Sequence, residues 1–81
     1  MASRRVADLE RATHEFQRAV ELDPNFALAW VGVADGNYLL AQYSDSSLSE
    51  TIQIMENAVS KALSINPRLG EAYVSLSLIH I

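Results

Sequence analysis

With 81 residues, a net charge of −4 and no cysteine, the chain is limited to one small domain with a modest core. It can form no disulfide framework, thiolate zinc site or cysteine nucleophile. Six Lys/Arg against ten Asp/Glu leave too little positive charge to neutralise a run of phosphates, so nucleic-acid binding is not expected.

The first predicted helix spans 4–22. Val6, Leu9, Ala12, Phe16 and Ala19 recur at steps of three or four and form one stripe, while Arg5, Asp8, Glu15, Arg18 and Glu21 take the other side. Arg4 and Arg5 are followed at once by Asp8, Glu10 and Arg11, which is not the pattern of a secretory leader. Pro24 disfavours the helical conformation at Asp23, so the helix should end near Leu22. A second helix is predicted over 25–42, with Phe26, Trp30, Val33 and Asn37 or Tyr38 on its apolar stripe. The short Asp23-Pro24-Asn25 link makes the two helices antiparallel or steeply crossed neighbours.

Ser44 to Ser47 form a polar turn cluster. Ser47 followed by Glu50 fits a capping box that opens a third helix over 48–65, with Leu48, Ile52, Met55, Val59 and Ala62 inward. Asn66-Pro67 stops it, and a fourth helix is predicted over 68–80 with Leu69, Tyr73 and Leu76 facing in. No uninterrupted apolar run reaches the length of a membrane span, so no membrane partner is expected.

The chain matches itself at an offset of 43 residues. Ala12 falls on Met55, Phe16 on Val59, Ala19 on Ala62 and Leu22 on Ile65. Pro24 falls on Pro67, Phe26 on Leu69, Ala29 on Ala72, Trp30 on Tyr73 and Val33 on Leu76. Each pair joins small, apolar or turn residues of like kind, and both prolines of the chain take part. Internal self-similarity at such a period is the signature of a repeat architecture.

These residues resemble the tetratricopeptide pattern of Trp-x2-Leu-Gly-x2-Tyr on one helix and Ala-x3-Phe then Pro on the next. Ala12-x3-Phe16 with Ala19 and Pro24 is followed by Trp30-x2-Val33-Ala34. Met55-x3-Val59 with Ala62 and Pro67 is followed by Tyr73-x2-Leu76-Ser77. Asn37 replaces the pattern's Tyr, and Ala34 and Ser77 replace its Gly. The period of 43 exceeds the family's roughly 34 residues, and by length alone HEAT or armadillo repeats fit better. The excess is expected between the helices of one repeat, around Tyr43 to Ser49. This long-loop form is similar to tetratricopeptide regions of bacterial adenylate cyclases, winged-helix regulators and serine/threonine kinases.

The resemblance implies an all-α fold of antiparallel helical hairpins stacked as an α-solenoid. Residues 4–22 would be the second helix of one repeat, 25–65 one full repeat with a long inter-helix loop at 43–48, and 68–81 the start of the next. The chain is then expected to be a fragment of a larger cytoplasmic protein, and to self-associate or be partly molten when isolated because its end helices lack neighbours. Leu76 to Ile81 also resembles the translation of a transposon-end adapter used in sequencing libraries, so this hexapeptide is expected to be not wholly native, although Leu76 fits the repeat.

The expected structural core is Ala12, Phe16, Ala19, Pro24, Trp30, Val33, Met55, Val59, Ala62, Pro67, Tyr73 and Leu76. Gly32 and Gly36, mid-helix, suggest close packing against a neighbouring helix or a flat surface for a partner. The chain carries no nucleophile elbow, and His14 and His80 have no companion ligands at metal spacing, so neither catalysis, a cofactor nor a metal is expected. The family lines a concave groove with the first helix of each repeat. Here that implies a partner-binding face at Leu28, Val31, Asp35 and Leu39, continued by Glu71, Val74 and Leu78. Family members that grip a peptide carboxylate use Lys, Arg and Asn at such positions. Those residue types are missing from this face, so the resemblance implies an apolar groove with acidic spots, suited to an apolar or basic protein segment.

Overall fold

The computed structural model describes residues 4–43 and 47–79. It contains α1 (Arg4–Leu22), α2 (Ala27–Ala41), α3 (Leu48–Ile65) and α4 (Gly70–Ile79), with no strand among the described residues. The α1 and α3 bounds are those expected from the apolar stripes and the prolines. Helices α2 and α4 start two residues later than expected, because Asn25-Phe26 and Arg68-Leu69 are consumed by turns. Asp23 Oδ1 accepts from the Asn25 N–H at 3.2 Å, and Asn66 Oδ1 from the Arg68 N–H at 3.1 Å. Such Asx turns compete with helix formation and delay it.

The two proline turns share more than these bonds. The Asp23 N–H donates to Ala19 O at 2.8 Å and the Asn66 N–H to Ala62 O at 2.9 Å. The Phe26 N–H reaches Asp23 O at 3.0 Å, and the Leu69 N–H reaches Asn66 O at 3.2 Å. Trp30 Nε1 donates to Pro24 O at 2.9 Å, and the Tyr73 hydroxyl donates to Pro67 O at 2.8 Å. Every partner in one turn lies 43 residues from its counterpart in the other. The sequence repeat is therefore also a repeat of hydrogen bonds, and the two aromatics serve as clasps on their turns. Tyr73→Phe should cost about 0.5–1.5 kcal/mol, the net worth of one such bond, and Trp30→Phe more, because the half-buried indole also packs on the core. Thermal melts of both variants check this: unchanged melting temperatures would show that the clasps do not stabilise the turns.

The link from α2 to α3 occupies residues 42–47, of which Ser44, Asp45 and Ser46 lie outside the described residues. Ser47 is the N-cap as expected, its hydroxyl accepting from the Glu50 N–H at 3.5 Å. The Thr51 hydroxyl and N–H both donate to Ser47 O at 3.1 Å. The link therefore begins and ends one residue earlier than the expected 43–48, because α2 ends at Ala41 and Leu48 is already helical.

Helix α2 is the centre of the packing. It touches α1, α3 and α4, whereas α1 touches α2 alone among the helices. Its buried residues Ala29, Val31, Val33, Ala34 and Gly36 spread well beyond one stripe, as a helix covered on several sides requires, and leave open the side that carries Leu28 and Leu39. The remaining core is Val20 from α1, Met55, Ala58, Val59 and Ala62 from α3, and Ala72 from α4.

This arrangement corrects the expected core. Val33, Met55, Val59 and Ala62 are buried, and Ala19, Trp30 and Leu76 are half-buried. Ala12, Pro24 and Pro67 are exposed, and Phe16 and Tyr73 retain 41% and 51% of their surface. The cause is neighbour number. With one neighbour, α1 buries only the side that meets α2, while the equivalent face of α3 is covered by two helices. Tyr73 makes the same clasp as the half-buried Trp30 but stays exposed, because α4 has two helix neighbours where α2 has three. Leu76 and Ile79 pack on the core, so the adapter-like stretch continues α4 through Ile79. His80 and Ile81 lie outside the described residues.

The two mid-helix glycines resolve as close packing. A Cβ on Gly32 would stand 2.5 Å from the Phe16 ring, and one on Gly36 would collide with Thr13 Oγ1. Both belong to the α1–α2 contact and are not a bare surface for a partner.

Candidate functional site

Asp35, Tyr38, Leu39, Gln42, Val74 and Leu78 line a cavity of about 350 Å³ between α2 and α4. Two elements position it. The short α3–α4 turn, held by Asn66 and Tyr73, brings α4 beside α2. Then Ser75 Oγ donates to Asp35 Oδ1 at 2.6 Å, a bond between residues 40 apart in the chain. It is a short, charge-assisted bond, and it fixes the Asp35 carboxylate at the seam. Ser75 is itself buried, and Glu71 O lies 3.3 Å from the same Oγ as the weaker of two acceptors sharing its single proton.

The predicted partner-binding residues divide around this seam. Asp35, Leu39 and Val74 line the cavity together. Leu28 and Glu71 are exposed toward the N-terminal ends of α2 and α4 and are not part of its lining. Val31 does not belong to the site. It keeps 3% of its surface and sits in the core. Its stripe on α2 was expected to face open space, but α2 is covered on several sides and the middle of that stripe is closed over. Val74, the repeat counterpart of Val31, keeps 65% of its surface.

Sequence reasoning missed Tyr38, Gln42 and Ser75 as parts of the site. Ser75 shares the three-to-four spacing of Glu71, Val74 and Leu78, which is the one signal that pointed to it. The apolar stripe of α2 admits Asn37 or Tyr38, and Gln42 reads only as the helix end. Tyr38 and Gln42 also line a neighbouring cavity of about 340 Å³ that reaches Leu48, Ile52 and Met55.

The charge pattern at the seam is acidic. Asp35 makes no ion pair among the described residues, where the salt bridge present is an exposed 3.8 Å contact of Arg11 with Asp8 on α1. Exposed pairs of that kind contribute little. His14 lies exposed beside Glu10 in a shallow depression between α1 and α2. Among the described residues, no three His, Cys, Asp or Glu side chains group as a metal site. No helix among them is long and apolar enough to cross a membrane.

Comparison with protein-family models, with characterised proteins and with solved structures finds no match to this chain. The class that the fold itself defines is a bundle of four packed α-helices containing two proline turns of one hydrogen-bonding design.

Proposed function

We propose that this chain is a non-catalytic protein-interaction module, built as a tetratricopeptide-like α-solenoid segment, that seats a segment of another protein or of its own parent chain between α2 and α4. The observation that carries this reading is the seam itself. Leu39, Val74 and Leu78 present large apolar side chains there, and all three are exposed. Apolar groups gathered in a groove are the usual ground for peptide docking. The 43-residue equivalence of the turns supports the repeat reading.

A second reading is a structural or regulatory spacer within a signalling protein such as a cyclase, kinase or transcriptional regulator. It is favoured by the contrast of Val31 with Val74, since a further helix packed on α4 would cover Val74 as Val31 is covered.

Selection of a random twelve-residue peptide library on the chain separates the two. Leu39→Glu/Val74→Glu serves as the counter-target, because both side chains are exposed and exposed replacements are expected to leave the fold intact. The interaction module predicts peptides retained by the chain and lost by the double variant at unchanged helicity. No enrichment, or equal enrichment on both, contradicts it and favours the spacer.

A further inference from the structure

We infer that the segment seated at the α2–α4 seam carries one Lys or Arg flanked by apolar residues, and that its cation rests on Asp35. This rests on the reading of the seam as a docking groove. Asp35 is the one charged residue in the lining of that cavity; the others are Tyr38, Leu39, Gln42, Val74 and Leu78. A lone carboxylate among apolar neighbours is stabilised by an opposite charge and penalised by apolar cover alone. One of its oxygens accepts from Ser75 at 2.6 Å, and no cation of the described chain pairs with it. A carboxylate has about four acceptor positions, so donors from an incoming ammonium or guanidinium find room.

The carboxylate is peculiar to this seam. The repeat counterpart of Asp35 is Leu78 and that of Ser75 is Gly32, so neither the acid nor the serine that holds it is a standing feature of the repeat. Asp35, Leu39, Val74 and Ser75 all precede the adapter-like stretch that begins at Leu76, whereas Leu78, which also lines the cavity, lies within it.

Charge also decides between occupants. A second copy stacked through α1 would bring the exposed face of Ala12 to the seam. That face carries Asp8 and Glu15 at the positions where α3 has Thr51 and Ala58, both buried. Two more carboxylates would then approach Asp35 and Glu71, at a repulsive cost. A basic, apolar segment meets the same surface with opposite sign.

The test uses the twelve-residue library on the whole chain and on Asp35→Asn, in which the side-chain oxygen still accepts from Ser75. Peptides won on the chain should be enriched in Lys or Arg between apolar residues, and the Asp35→Asn selection should lose that enrichment while keeping the apolar positions. Replacing the Arg of a winning peptide by neutral citrulline should weaken binding about tenfold on the chain and hardly at all on Asp35→Asn. Winners that fail on Leu39→Glu/Val74→Glu yet show no basic preference would overturn the inference and leave the docking groove standing. Absence of any winner that depends on Leu39 and Val74 would overturn both. Concentration-dependent dimerisation in sedimentation, abolished by Leu39→Glu/Val74→Glu, would put a second copy at the seam and overturn the basic occupant.

Discussion

Met55→Ala is expected to lower stability by about 2–5 kcal/mol, the range for truncating a buried Met. Met55 is buried on α3, the helix whose inner face is covered by both α2 and α4. It also borders the cavity beneath Tyr38 and Leu48, so the lost side chain leaves a void that the surroundings do not close. Small domains are stable by only about 5–15 kcal/mol, and the melting temperature should fall by roughly 10 °C or more. The repeat-equivalent change Ala12→Gln should stay within about 0.5 kcal/mol, because Ala12 is exposed. Circular dichroism melts of the two variants make the comparison. Equal losses would show that α3 is not the doubly covered helix described above.

Gly36→Val is the second large effect, expected to cost about 1–3 kcal/mol through overpacking. A Cβ at Gly36 would meet Thr13 Oγ1 and come within 2.9 Å of Thr13 Cγ2 and 3.0 Å of its Cβ. Thr13 has little freedom to yield, since its hydroxyl donates to Leu9 O at 2.7 Å within α1. Removing the obstacle should reverse the sign of the problem. In a Thr13→Ala background the added side chain occupies the vacated space, and a mid-helix glycine has been replaced by a residue that favours the helix more. Denaturant titration of both singles and the double gives the coupling. The double should recover at least half of the Gly36→Val loss; strictly additive losses would mean that α1 does not cross α2 at this glycine.

Much of the backbone was legible before any coordinates. Pro24 and Pro67 end helices by a local steric rule, and the stripes Val6 to Ala19 and Leu48 to Ala62 have a period that only a helix satisfies. Those signals are local, and they located α1 and α3 to the residue. Burial was less legible because it depends on neighbours. Phe16 and Val59 occupy the same repeat position, yet Val59 is nearly enclosed and Phe16 retains 41% of its surface. Residue type alone does not say how many helices cover a face. Val31 shows the converse: α2 is apolar nearly all round, so its stripes do not tell which of them is left open. At the site, Asp35, Leu39 and Val74 follow from helical spacing. The Ser75–Asp35 bond does not, because it joins two helices across 40 residues; the spacing of Ser75 from Glu71 and Leu78 marks its face of α4 without naming its partner on α2.

The seam between α2 and α4 is the proposed meeting place of this chain and its partner. Amide chemical-shift mapping on the isotope-labelled chain, titrated with a peptide won from the library, addresses it most directly. The predicted result is that the amides of Asp35, Leu39, Val74 and Ser75 move together and saturate at one affinity, while those of Asp8, Ala12 and Glu15 on the outer side of α1 stay still. Shifts centred on α1, with the amides of the seam unmoved, would contradict it.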